Sequence, residues 1–247
     1  PLAKPEKRSA AELAALLREK VFAGWPVDDL PLEPKQAFSV ARDGVKFSAW
    51  DFTSQQDISL RLYFLEPGKA RPVASVSLQV LDEKGWGFWL KRMRVGFAAQ
   101  LATELTAATD LDSEAVGYAK WKHAAEAGLT MAFFAPRGIG LSAWSGDEKA
   151  QAKIRRRFMV IGQTRDGMRV WDIRRAVQMI HFIRDADVAK VELRAMRSGG
   201  INALFASLFE PSVCNLELGE LPGSHTEGPD YLGVLRFTDI PQVLEAV

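Results

Sequence analysis

The sequence holds 247 residues, with 32 basic side chains against 31 acidic ones and a formal net charge of +1. That length lies near the ~250-residue limit of a single hydrophobic core, and such a chain buries enough surface to fold without disulfide or metal staples. A composition that is 47% hydrophobic and 26% charged excludes disordered, collagen-like and coiled-coil classes, and near-neutrality removes long-range attraction to nucleic acid or an anionic membrane.

The opening stretch, Pro1 to Arg8, has no signal-peptide apolar core and no initiator Met, and it reads as a processed or excised piece of a longer protein. Compartment therefore stays open. From 9 to 23 a helix is expected, because Ser9 and Glu12 form a capping box and Leu13, Leu16, Leu17 and Val21 mark one apolar face. The proline-punctuated stretch Trp25 to Pro34 reads as a linker wrapped on a surface, so residues 1–34 form an arm ahead of a domain at 35–247. Strands are expected at 38–42, 45–53 and 58–65, the last two alternating through Val45, Phe47 and Ala49 and then Ile58, Leu60, Leu62 and Phe64. Arg42-Asp43-Gly44 suits a tight hairpin.

Beyond residue 72 strands and helices alternate: a strand at 73–81, helices at 86–106 and 113–127, and the continuous apolar run Leu129–Ala135 of a central strand. Helices at about 147–161 and 167–184 follow, then a strand at 191–196, a helix to Phe209, a strand at 214–221 and a helical tail with Ile240, Val243 and Leu244. Antiparallel strands running into βαβ units predict a three-layer α/β fold with a mixed, mostly parallel sheet. No 18-residue apolar run is present, so no membrane span is expected.

Ligands of such sheets bind beyond the carboxyl ends of the strands, which directs attention to three loops. In Met196-Arg197-Ser198-Gly199-Gly200, a strained strand-to-helix elbow wants small residues two before and two after its tip. Ser198 as tip satisfies this with Gly200 but not with Met196. Arg197 satisfies it on both sides, with Ala195 and Gly199. The glycines could also do no more than permit a close turn. Pro136 to Trp144 offers Arg137 and Trp144 as a cleft wall, or simply a packed loop. Leu221 to Asp230 carries His225, a candidate base for Ser198, with Glu227 or Asp230 to orient it, or a structural hydrogen-bonder. Cys214 is the one cysteine, and His123, His181 and His225 are the only histidines, so no metal centre and no cofactor is expected. The arginine-dense run from 155 to 175 is broken by Met159, Val160, Ile161, Val170, Trp171 and Ile173, and reads as core faces with salt-bridged outer faces rather than a nucleic-acid surface.

Pro136-Arg137-Gly138-Ile139-Gly140 with Ala143-Trp144, Ile154 to Phe158, Gly162-Gln163-Thr164, Asp166 to Ala176, and Ser224-His225 with Glu227 to Asp230 together resemble the α/β-hydrolase modules of acetyl xylan esterase-like proteins. The resemblance covers roughly 35–247 and is closest to the C-terminal module of those proteins. It implies an α/β-hydrolase-like fold, a carbohydrate ester as substrate, an N-terminal esterase module of the same protein as partner, and a secreted or periplasmic setting. The helical tail after Leu221 leaves no room for that fold's last strands, which are expected to be lacking. It also implies a serine at an elbow, an oxyanion amide after the 73–81 strand and a histidine after the last strand. Against that pattern, Asp82 and Glu83 occupy the oxyanion loop, and the preferred elbow register exposes Arg197. Two readings follow. In one the module has lost its chemistry and serves a larger esterase; in the other it is an active serine carboxylesterase using Ser198, His225 and Glu227 or Asp230, with Arg137, Trp144 and Arg197 contacting substrate.

Overall fold

Strand pairing organises the molecule. In a computed structural model describing residues 8–69, 71–106, 114–144, 146–184 and 190–247, seven strands form one sheet in the order β1-β2-β3-β5-β4-β6-β7. Their ranges are β1 Lys35–Arg42, β2 Val45–Gln55, β3 Ile58–Pro67, β4 Ser75–Val80, β5 Thr130–Phe134, β6 Lys190–Met196 and β7 Val213–Gly219. The first three are antiparallel neighbours, and β3 meets β5 antiparallel. The junctions β5–β4, β4–β6 and β6–β7 are parallel. Thus β2, β4, β5, β6 and β7 run one way and only β1 and β3 the other. No strand lies beyond β7 among the described residues.

The β1–β2 hairpin turns at Asp43 and Gly44, whose φ values of 48° and 83° are the left-handed pair that a two-residue turn needs to match strand twist. β5 is buried at every position, as its continuous apolar sequence requires of a strand covered on both faces.

Helices cover both faces. On one, α2 (Glu83–Phe97) and α4 (Ala115–Glu126) bury Trp89, Leu90, Met93, Phe97 and Tyr118 against Phe47, Tyr63, Leu65, Met131 and Phe133. On the other, α1 (Ala10–Lys20), α6 (Arg165–Arg184), α7 (Arg197–Ser207) and α8 (Ile240–Ala246) close over Leu62, Phe64, Leu78, Phe134, Val191 and Leu193. Ser9 caps α1 through the expected box with Glu12. Two short or exposed helices, α3 (Ala102–Thr106) and α5 (Glu148–Val160), complete the set.

Three expectations change. The 86–106 helix begins earlier and is split: Asp82 accepts from the Gly85 N–H as an N-cap, so residues 83–85 form the first turn rather than a loop, and the helix breaks between Phe97 and Ala102. The 25–34 stretch is not a purely superficial linker. Phe22 and Trp25 stack at 4.2 Å and sink among Phe205, Phe209 and Tyr231, while Trp25 Nε1 donates to the Gly167 carbonyl at 2.8 Å. Met159, Val160 and Ile161 face solvent instead of a core, because α5 buries none of its residues. Residues 1–7 of the expected arm, and Ser113 at the start of the expected 113–127 helix, lie outside the described residues.

α6 explains the dense arginines. Arg169, Arg174 and Arg175 are buried and paired: Arg174 with Glu210 at 2.9 Å and Asp28 at 3.0 Å, Arg175 with the Leu30 and Thr53 carbonyls. Buried cations need such partners. These arginines fasten α6 to the arm, to β2 and to the end of α7.

Candidate functional site

The carboxyl ends of β4, β6 and β7 point the same way, and each delivers one charged residue to a shared spot. β6 ends at Met196, and the chain turns directly into α7 with Arg197 at the bend, where its φ is +54°. A left-handed conformation is costly for a side chain with a Cβ, and it persists where surrounding structure enforces it. Ala195 precedes the bend as a buried small residue. After it, a Cβ at Gly199 would meet nothing nearer than 3.8 Å, so the expected small residue there is not sterically required. A Cβ at Gly200 would lie 2.5 Å from the end of the Leu221 side chain, which would have to shift.

The Arg197 guanidinium lies in a two-sided clamp. Nε and Nη2 donate to the two Asp82 oxygens at 2.7 and 2.8 Å, a bidentate pair, and Nη1 donates to Glu220 at 2.9 Å. Asp82 is the cap of α2 just past β4, and Glu220 is the first residue past β7, itself at φ +51°. Burial alone would raise the Asp82 carboxyl; the bonds from Arg197 and the Gly85 N–H outweigh it and hold the group below its ordinary value. The same pairing keeps Arg197 firmly protonated. The carboxyl ends of three strands thus present a cation between two carboxylates.

Beside the clamp lies a cavity of about 280 Å³ whose lining includes Leu81, Glu83, Arg169, Ser198 and Asn202. Ser198 is exposed, one position past the bend in the first turn of α7, and no hydrogen bond joins it to a base among the described residues. Arg169 is already committed, donating to the Arg137 carbonyl at 3.1 Å and to Glu83 at 3.0 Å. Asn202 is buried and accepts from the Tyr231 hydroxyl at 2.7 Å.

The remaining candidate residues each have partners of their own. His225 is 8% exposed and packs edge-on to Phe205, with Tyr231 at 4.9 Å. Its Nδ1 is 3.0 Å from the Pro229 carbonyl, which requires a proton on that nitrogen, and Nε2 is buried without a partner. Burial depresses its pKa below the ordinary imidazole value, against the opposing effects of Pro229 and Asp239. Glu227 is exposed and accepts weakly from the Gly223 N–H at 3.3 Å rather than facing the imidazole. Asp230 pairs with Arg155 at 2.6 Å. Arg137 turns inward, where Asp172 takes its backbone N–H, Nε and Nη2 within 3.0 Å and Gln55 takes Nη1. Trp144 packs on Phe158 and over Gly138, where a Cβ would lie 2.6 Å from its ring.

The clamp's second acid, Glu220, is the functional position that sequence reasoning missed. A carboxylate directly after a strand that flanks an arginine-tipped elbow is the signal that could have found it. Among the described residues no group of three or more His, Cys, Asp or Glu side chains is placed to hold a metal ion, and no helix is long and apolar enough to cross a membrane.

No family model matches this sequence, and no curated protein matches it. Solved structures do. A provisionally assigned acetyl xylan esterase from Bacteroides fragilis NCTC 9343 aligns with a TM-score of 0.56 at 12% identity, over 84% of this chain and 51% of that one. A glucuronoyl esterase from Solibacter usitatus aligns at 0.53 and 14% identity, over 84% and 56%. An acetyl xylan esterase from Paenibacillus sp. R4 gives 0.50 and 12%, over 86% and 60%. This chain therefore spans between half and three fifths of those proteins. At such identities the likeness shows a shared architecture, the α/β-hydrolase fold.

Proposed function

We propose that this chain is a hydrolase-fold module without serine-esterase chemistry of its own, which serves a carbohydrate esterase by packing against its catalytic module or shaping the polysaccharide cleft. One observation carries the reading: the elbow tip is Arg197, clamped by Asp82 and Glu220. A guanidinium stays protonated in proteins, so it can hold an anion but cannot attack a carbonyl. An oxyanion forming beside it would meet the Asp82 carboxylate, where a hydrolase needs donors aimed at the developing charge. The imidazole that would serve Ser198 sits among aromatic side chains, and its Nε2, the nitrogen left free to act as base, is buried. The partner belonging to this reading is an esterase module on the same or an associated chain, with an acetylated or uronate-esterified polysaccharide as the shared substrate.

The competing reading, an acetyl esterase with Ser198 as nucleophile, draws on the exposure of Ser198 at the 280 Å³ cavity. It requires the buried Nε2 of His225 to come within hydrogen-bond reach of Ser198. Hydrolysis of p-nitrophenyl acetate separates the two. We expect any rate above buffer to be unchanged by Ser198→Ala and no fluorophosphonate adduct to form. Labelling of Ser198 together with loss of turnover in the alanine variant would overturn the proposal.

A further inference from the structure

At the opposite end of the sheet, where β4 and β5 begin, a cavity of about 290 Å³ opens among cations. Four basic residues, Lys46, Lys69, Arg71 and Arg184, line it with a single acid, Glu66. Glu66 is buried and already shared, pairing across the β2–β3 ladder with Lys46 at 2.9 Å and with Arg184 from the last turn of α6. Arg184 is thereby fixed, lying 4.9 Å over the Phe64 ring, yet its Nε is buried with no hydrogen-bond partner. Thr130, the first residue of β5, also lines the cavity; it is 2% exposed and its hydroxyl likewise has no partner. Lys69 and Arg71 stand at the mouth, exposed and without an acidic partner among the described residues.

Buried donors are ordinarily satisfied, and here Arg184 Nε and Thr130 Oγ1 have no partner beside a cavity whose lining carries three positive charges in excess. We infer that this cavity is a binding site for a small oxyanion of the phosphate type, with the Arg184 guanidinium as its fixed donor and Lys69 and Arg71 as its charged rim. A guanidinium presents its N–H groups in a rigid fork that matches tetrahedral oxyanions, which an ammonium group does not reproduce. The site lies on the far side of the sheet from the Arg197 clamp, so it owes nothing to the esterase-module reading.

Calorimetric titration of the intact chain with inorganic phosphate, at ionic strength held constant with sodium chloride, tests this. Saturable binding is expected, weakened at least fivefold in a Lys69→Gln/Arg71→Gln double variant, which alters only exposed side chains. Arg184→Lys keeps the charge and the Glu66 pair but removes the fork, and it should weaken binding by a similar factor with the fold intact by circular dichroism. Unchanged affinity in Arg184→Lys would reduce the site to diffuse attraction and overturn the inference. So would unchanged affinity in the double variant, or a flat titration.

Discussion

Asp82 performs two jobs with two oxygens: one caps α2 through Gly85, and both grip Arg197. These jobs separate by substitution. Asp82→Asn retains a capping oxygen and loses the charge, whereas Asp82→Ala loses both. The alanine variant should cost about 1 kcal/mol more than the asparagine variant, the worth of a cap, in urea unfolding. Equal losses would show that the cap contributes nothing. His225 sets a pH dependence. Its folded pKa lies below the unfolded value of 6.5, so the native state binds fewer protons than the unfolded chain around that pH. Its contribution is present above 6.5 and is lost as pH falls below it. Melting temperature should therefore decline between pH 7 and 5, and His225→Phe, which suits the aromatic surroundings, should flatten that decline. A variant with the parent's slope would remove His225 from the account.

Elements differed in how far their sequence announced them. The Ser9–Glu12 box and the alternation in β2 and β3 are local codes, and each produced the element it implies. The start of α2 was obscured because Asp82-Glu83-Lys84-Gly85 has the composition of a loop, although an Asp three residues before a glycine N–H also makes a cap. Met159–Ile161 have the look of core residues, but α5 meets the body through Phe158 and leaves them exposed. Burial belongs to packing, and periodicity reports only the side of a helix. The segment around Trp25 shows the same limit in reverse: its partners Phe205, Phe209 and Tyr231 are some 183 to 209 positions away, beyond any local pattern. Trp25→Ala should destabilise the protein by about 3–5 kcal/mol, read by thermal or urea unfolding, as expected of a buried indole with a hydrogen bond. A loss below about 1 kcal/mol would mean that the arm rests on the body without supporting it.

At the scale of the whole molecule, the alternation of strands and helices made the layer architecture legible, since each amphipathic element must find a partner layer. The candidate site was legible only in part. Steric preference at Ala195 and Gly199 placed Arg197 at the bend, yet its clamp is assembled from residues 115 and 23 positions away, and only the strand order brings them together. Loop residues such as His225 and Glu227 invited a catalytic reading by type. Their actual partners, a proline carbonyl and a glycine N–H, are backbone groups that no sequence spacing names.

The clamp also behaves as a ratchet. Exchanging Arg197 for serine would put a hydroxyl at the apex but strip the counterion from Asp82 and Glu220, leaving two bare carboxylates beside it. Under the proposed reading, a chain that gained turnover at this apex would have to change all three positions together.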